Sequence, residues 1–331
     1  MYDAISSNKW KSALLVSLFL LIILGLGFGI GAIWGFQRAF VGLIIATIIA
    51  VAMSLVSYYK SDQISLAMAG AKPVTRDDYP YYVNTVEGLA IAAGIPAPRT
   101  YIIETPAMNA FATGRDPEHA AVAVTTGLLE RLNRLELEGV VAHEMSHVKN
   151  FDIRLMSMVV VLVGIIVLFS EVVIRMLFWG GLFGGDRDRG GGGGGGDGGA
   201  IWVILAIAGI VLLILSPIFA QLLQLAVSRK REYLADANGA FLTRYPEGLA
   251  SALNKLTVEA QPFPRTSEAT AHLFIVQPFK KEGKQPRSHK ASKTSLWDTH
   301  PPIEERIRRL RGMASMDGMY TQAQAEGGPS R

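Results

Sequence analysis

Four long apolar runs constrain the fold of this chain more than any other feature. They cover residues 12–36, 40–58, 156–178 and 201–227. About 20 apolar residues in a helix cross the roughly 30 Å hydrocarbon core of a bilayer, so each run is long enough to span it. The mean hydropathy of the chain is positive, which favours a membrane protein over a soluble domain. The sequence therefore predicts a membrane α-helical protein with four transmembrane helices in two hairpins.

Charged residues around these runs indicate how the helices cross the membrane. Two hairpins place both termini, residues 60–154 and everything after residue 229 on one side. The basic residues that flank this side are Lys9, Lys11, Lys60, Arg229, Lys230 and Arg231. The positive-inside rule assigns such a side to the cytoplasm. We expect a multi-pass protein of the cytoplasmic (inner) cell membrane, with both termini and its soluble part in the cytoplasm.

The runs also divide the chain into five regions. The regions are an N-terminal transmembrane hairpin at 1–59, a first soluble part at 60–155, a second hairpin at 156–227 with a glycine-rich loop at 180–199, a second soluble part at 228–315, and a flexible tail at 316–331. The glycine-rich loop has too few apolar side chains to order itself and predicts a flexible connection.

The motif His143-Glu144-Met145-Ser146-His147 indicates metal chemistry. It lies in residues 128–151, whose apolar positions recur at three- and four-residue spacing and predict one helix. Residues four apart share a helix face, so His143 and His147 can hold two corners of a tetrahedral zinc site. Glu144 stands beside the metal, where a carboxylate takes a proton from an activated water. Because the chain has no cysteine, the ligands must be His, Asp or Glu.

The third ligand is not next to this motif. The metzincin continuation needs glycine at 150 and histidine at 153, where this chain has Asn150 and Ile153. We expect Glu232 instead, because side-by-side packing of the third and fourth spans would bring its segment to the motif helix. Asp236, one turn later, is expected to accept the free N–H of a ligating imidazole, His143 in particular. A solvated aspartate is the alternative.

In combination these residues make the chain resemble the HtpX-type heat-shock proteases, membrane relatives of the CAAX prenyl proteases. Further segments that carry the resemblance are 109–114, 122–129, 228–237 and 299–306. The resemblance implies a cytoplasmic α+β catalytic domain of the zincin-like (gluzincin) kind with one Zn²⁺ per chain. It also implies a metalloendopeptidase that cuts misfolded or damaged membrane proteins in quality control and the stress response.

Three further residues are candidates for handling the substrate. Asn109 and Ala110 lie between two β-rich runs, 99–104 and 120–125, and are candidate main-chain binders of a substrate strand. The alternative is that Asn109 only caps a turn. In the resembling family the segment around His300 lies near the active site, so His300 is a candidate donor to the oxyanion. The alternative is a local role at the start of the next helix.

Other functions are less well supported by the residues. A membrane scaffold or transport-related protein with a structural or regulatory metal would not need the base and the outer aspartate. A CAAX-type prenyl protease would need a larger chamber and usually more spans. The formal charge of +4 is modest and the basic residues are scattered, so nucleic acid is not an expected partner. The expected partners are protein or peptide substrates and the lipid bilayer, and the sequence leaves homo-oligomers and other divalent metals open.

Overall fold

The computed structural model describes residues 2–32, 36–162, 229–258, 273–275 and 301–326. Its helices are α1 (Tyr2–Ala32), α2 (Phe36–Met68), α3 (Pro80–Ala93), α4 (Thr126–Arg131), α5 (Arg134–Lys149), α6 (152–162), α7 (Arg229–Thr243), α8 (Pro246–Val258) and α9 (Ile303–Glu326). Its strands are β1 (Lys72–Pro73), β2 (Arg99–Ile103), β3 (Ala110–Thr113) and β4 (Ala121–Thr125). The fourth predicted span, the third span beyond residue 162 and the loop at 180–199 lie outside the described residues.

The first two helices are long and apolar enough to cross a membrane. Within Ser6–Gly25 and Ala39–Met68, only 22% and 17% of the most apolar windows are buried inside the protein. The remaining side chains face outward, as lipid-facing side chains do. The helices meet closely at Gly27, where an added Cβ would lie 2.2 Å from the Cβ of Ala46. The first two predicted spans are therefore present as a packed pair of candidate membrane helices.

The second of these helices does not end where its apolar run ends. It continues from residue 58 to Met68, and Leu66 near its end packs against Ile103 and Phe111 of the sheet. A single helix therefore joins the predicted hairpin to the soluble part across the expected boundary at residue 59.

A four-stranded sheet in the order β1-β2-β4-β3 forms the centre of the soluble part. Strands β2 and β4 run parallel, and β3 pairs antiparallel with β4 in the register Ala110 to Val124. The two predicted β-rich runs are strands, and the predicted extended segment between them is β3. Strand β3 lies at one edge of this sheet and contacts helix α5.

The prediction of one continuous helix over residues 128–151 is wrong. The segment consists of α4 and α5, with a break at Leu132 and Asn133. Asn133 accepts a hydrogen bond from the Glu136 N–H, and the Glu136 carboxylate accepts one from the Asn133 N–H. This reciprocal capping box satisfies free amides at a helix start, so it stabilises a new helix at residue 134 instead of a continuation.

Two close approaches bring α5 against its neighbours. A Cβ at Gly139 would lie 2.6 Å from the backbone nitrogen of Leu249 in α8, and one at Gly239 would lie 3.1 Å from the nitrogen of His143. Glycine at these positions lets the helix backbones come together. As a result α7 passes directly beside the metal motif on α5.

A sharp turn separates α5 from α6. Phe151 has a φ of 60°, a left-handed conformation that is costly for an aromatic residue and needs support from its surroundings. After this turn α6 begins at Asp152 and packs its residues Leu155 and Met158 against Leu15 and Phe19 of α1. The turn thus places Asp152 back beside α5, at the junction with the first membrane helix.

Candidate active site

The motif residues and Glu232 meet in the interior of the protein. His143, Glu144 and His147 on α5 are each at most 7% exposed, and Glu232 on α7 is 3% exposed. The Nε2 atoms of the two histidines are 3.2 Å apart. The Glu232 carboxylate lies 3.8 Å from Nε2 of His143 and 3.7 Å from Nε2 of His147. All three ligand atoms lie within 4.8 Å of one another, which is the spacing of donors around one ion.

A buried ion pair lies next to Nδ1 of His143. Its Nδ1 lies 3.0 Å from Oδ1 of Asp236, one turn after Glu232 on α7. Arg306 on α9 donates two hydrogen bonds to the same carboxylate, from Nε at 2.9 Å and from Nη2 at 2.7 Å. Such a two-pronged pairing fixes the carboxylate plane and, through it, the imidazole.

His147 has a different carboxylate partner. Its Nδ1 lies 3.0 Å from Oδ2 of Asp152, the first residue of α6. The side-chain amide of Asn8 on α1 donates to the other oxygen of Asp152 at 2.6 Å and to the carbonyl of Asn150 at 3.0 Å. Arg231 lies further away, with Nη1 3.7 Å from Oδ1 of Asp152.

This donor set fits a divalent metal ion. Because Asp236 and Asp152 engage the Nδ1 atoms, both imidazoles present Nε2 to the same point, opposite the Glu232 carboxylate. A carboxylate behind each histidine is the usual way in which proteins orient metal-binding imidazoles. Two imidazole nitrogens and a carboxylate oxygen also match the known His₂Glu class of catalytic zinc sites.

The surroundings shift the pKa values of the two histidines in opposite directions. Burial lowers the pKa of His143, and the Arg306 guanidinium beside it acts in the same direction. Burial also disfavours the charged form of His147, but the hydrogen bond that its Nδ1–H donates to Asp152 and the nearby carboxylates of Glu232 and Glu144 outweigh it and raise its pKa to about 9. Burial raises the pKa of Glu144 to about 7, and the Glu232 carboxylate adds to that effect.

The site opens toward the outer edge of β3. The backbone N–H of Ala112 lies near the Glu144 carboxylate and favours its charged form. Apolar side chains cover the remaining walls, from Met156 of α6 and from the segment Leu273, Phe274 and Ile275. Phe274 packs edge-on against Phe111 of β3, with ring centroids 5.2 Å apart. The metal motif therefore lies in a small pocket between an edge strand and an apolar wall.

The candidate substrate residues lie along this edge. Asn109 is buried, its carbonyl accepts the Thr125 N–H, and its side-chain oxygen accepts the N–H of Ala110. The Ala110 carbonyl accepts a hydrogen bond from the N–H of Ile275 at 3.1 Å. His300 lies outside the described residues.

Reasoning from the sequence missed three residues of this arrangement: Asp152, Arg306 and Asn8. Asp152 follows His147 by five residues, and an acidic residue just beyond a histidine pair was a usable signal. Arg306 belongs to a segment that carried the family resemblance, but nothing local distinguishes it from Arg308 or Arg309. Asn8 is a polar residue at the start of an apolar helix, where an interfacial position in contact with lipid headgroups is the ordinary expectation.

Comparisons by sequence and by structure found similar proteins. The family model described as Peptidase family M48 matches residues 79–314. The protein named Protease HtpX homolog from Dictyoglomus turgidum is 45% identical over 312 residues, 94% of each chain. Those of Tropheryma whipplei and Listeria monocytogenes are 45% and 42% identical over 315 residues, which is 95% of this chain and 99% and 100% of theirs. The crystal structure of S. mikatae Ste24p aligns with a TM-score of 0.47 at 17% identity, over 94% of this chain and 67% of that one.

Proposed function

The chain belongs to peptidase family M48 and is a membrane metalloendopeptidase, and we propose that its metal is one Zn²⁺ held by His143, His147 and Glu232. The observation that carries this proposal is the buried set of two imidazole nitrogens and one carboxylate that face a common point. Catalytic zinc sites have three such protein ligands and keep a fourth position open. When bound, the ion supplies a Lewis acid that polarises the scissile carbonyl and makes water more acidic.

Glu144 is the general base of this scheme. Its carboxylate is buried beside the ligands, and its pKa of about 7 suits a group that accepts and returns a proton near neutral pH. Glu144 takes the proton of the attacking water and later passes it to the leaving amine. Peptide bonds are thereby hydrolysed without a covalent intermediate on the protein.

Substrate binds as an added strand along the outer edge of β3. The Ala110 carbonyl and the Ala112 N–H both face this edge, where the carbonyl accepts a hydrogen bond from Ile275 and the N–H lies near the Glu144 carboxylate. A substrate strand beside Asn109 and Ala110 would replace the Ile275 bond and lie over the ligands. The apolar wall formed by Met156 and residues 273–275 would receive an apolar side chain. This supports misfolded or damaged membrane proteins, which are rich in such side chains, as substrates.

His300 is the proposed donor to the oxyanion that forms on the scissile carbonyl. It precedes Pro301 and the start of α9 at Ile303. This helix brings Arg306 to within 3.4 Å of His143. The position of α9 therefore supports a place for His300 close to the site.

The membrane arrangement proposed here has four spans with the site on the cytoplasmic side. Asn8 of α1 reaches the site at Asp152, and the Lys9 ammonium lies 5.0 Å from the ring centre of Phe151. The site thus lies at the end of α1 that carries Lys9 and Lys11, and positive residues favour the cytoplasmic side. Cleavage would take place next to the inner membrane surface.

The test compares the full-length protein with Glu144→Gln in detergent, using casein and an unfolded membrane protein as substrates. We expect chelator to abolish cleavage and added zinc to restore it. Glu144→Gln should bind one zinc but cleave at least about 100-fold more slowly, because the base is lost. Glu138→Gln on the same helix is the matched control and should cleave normally. Full activity of Glu144→Gln, or cleavage unaffected by chelator, would contradict the proposal.

A further inference from the structure

One end of the first membrane helix reaches the back of the metal site through Asn8. This residue is 2% exposed, and both hydrogens of its side-chain amide are used across 142 and 144 residues of sequence. The shorter bond, 2.6 Å, goes to Oδ1 of Asp152. The second oxygen of the same carboxylate lies 3.0 Å from Nδ1 of His147. A continuous line of hydrogen bonds therefore runs from α1 to a proposed zinc ligand.

The surroundings of Asn8 hold this line in place. Lys9 and Arg154 both place a cation about 5.0 Å from the ring centre of Phe151, the residue with the left-handed backbone. Further along, Leu15 and Phe19 of α1 pack into one cluster with Leu155 of α6. The turn that presents Asp152 to His147 is thus supported by α1 on one side, and displacing α1 would release it.

Among the residues that the structure describes, Asn8 is the donor from another helix that lies closest to Asp152. Arg231 of α7 lies 3.7 Å from Oδ1 of Asp152, beyond hydrogen-bond distance, whereas the amide of Asn8 lies at 2.6 Å from the same oxygen. A carboxylate that accepts a fixed hydrogen bond on one oxygen has its plane set for the group on the other oxygen. Here that group is the imidazole of His147.

We infer that Asn8 is a positioning residue of the active site, through which the first membrane helix fixes Asp152 and hence the orientation of His147. The inference rests on the proposed zinc site, but it adds a part of the chain outside residues 79–314, the region that the family model matches. Helix α1 then does more than anchor the protein, because a change in its position in the bilayer would alter the affinity of the site for the metal.

The experiment measures zinc release from the full-length protein in detergent to a coloured chelator. Asn8→Leu keeps the approximate size of the side chain and removes its hydrogen bonds, and Asn8→Ala is a second variant in case packing of leucine disturbs the helix. Loss of an outer partner of a metal ligand usually costs about 10–100-fold in affinity. Because Asn8 contacts His147 only through Asp152, its loss should have a smaller effect, and both variants should release zinc roughly threefold to tenfold faster than the parent. Asn84→Ala, an exposed asparagine on α3, is the matched control and should release zinc at the parental rate.

A double variant distinguishes a positioning role of Asn8 from a general effect on stability. If Asn8 acts through Asp152, then Asn8→Leu should change nothing further in a protein that already carries Asp152→Ala. The visible spectrum of the cobalt-loaded protein should shift in Asn8→Leu, and kcat should fall while KM stays near the parental value. Parental zinc release in both Asn8 variants, or an undiminished Asn8→Leu effect beside Asp152→Ala, would overturn the inference. A parent protein that binds no zinc would instead refute the proposed function, and the inference with it.

Discussion

The two histidines of the motif lie one helical turn apart, but they are supported by different parts of the protein. His143 is backed by Asp236 and Arg306, which come from α7 and α9 after the second pair of predicted spans. His147 is backed by Asp152 and Asn8, which come from the base of α6 and from α1. One proposed ligand is therefore supported from α7 and α9, and the other from α1 and α6.

The two supports also differ in charge. The Asp236 carboxylate forms a two-pronged pair with a fully buried guanidinium, whereas Asp152 receives a neutral amide at short distance, with the Arg231 guanidinium 3.7 Å away. Burial lowers the pKa of His143 and the Arg306 guanidinium adds to that effect, whereas for His147 the bond to Asp152 and the carboxylates of Glu232 and Glu144 outweigh burial and raise the pKa. The comparison teaches that the two ligands should respond differently to loss of their partners.

Replacing Glu232, the proposed ligand that faces both histidines, should have the largest effect. If Glu232 binds the metal directly, Glu232→Ala should lower zinc affinity by more than the roughly 100-fold that loss of an outer partner costs. Zinc content after dialysis against weak chelator measures this. Glu247→Ala on α8 serves as the control and should keep its metal. Full zinc occupancy of Glu232→Ala would place the third ligand elsewhere.

Asp236→Ala should come next, with effects on both metal and stability. Zinc affinity should fall about 10–100-fold, and loss of one partner of a buried pair typically destabilises by about 3–5 kcal/mol because Arg306 keeps its buried charge. Thermal unfolding and zinc titration of the same sample check both effects. The double variant Asp236→Ala with Arg306→Met should regain part of the lost stability without regaining zinc affinity. If the double variant is less stable than Asp236→Ala, the charge argument is wrong.

Asp152→Ala should have the smallest effect of the three and should act mainly on the metal. Zinc affinity should again fall about 10-fold or more, but stability should fall by less than in Asp236→Ala, because Asn8 is uncharged and can rearrange. Measured side by side, the two variants should differ more in unfolding temperature than in zinc affinity. Equal unfolding temperatures would remove the proposed contrast between the two supports.

Local sequence patterns predicted a large part of this site. The spacing of His143 and His147 places them on one helix face wherever that helix begins, so the break at Asn133 did not disturb the motif. Asp236 follows Glu232 by one turn, which made it a natural partner for an imidazole. The strands were also predictable, because their β-branched and apolar residues form short runs.

The remaining contacts depend on three-dimensional packing that no local pattern records. Asn8 and Asp152 are 144 residues apart in sequence, and Arg306 and His143 are 163 apart. The left-handed turn at Phe151 places Asp152 next to His147. Because residue 151 is neither glycine nor asparagine, the sequence does not predict this turn. The break at Asn133 was recognisable in retrospect, because asparagine followed three residues later by glutamate is a helix-start signal.

X-ray absorption at the zinc edge, on the full-length protein loaded with one zinc per chain, tests the central claim most directly. The account predicts two imidazole nitrogens at about 2.0–2.1 Å and oxygen ligands at about 2.0–2.2 Å, with no sulfur. The same measurement on Asp152→Ala should still show two imidazoles, because that residue orients a ligand and does not bind the ion. A parent spectrum with one imidazole or none would contradict the assignment of His143 and His147 as joint zinc ligands.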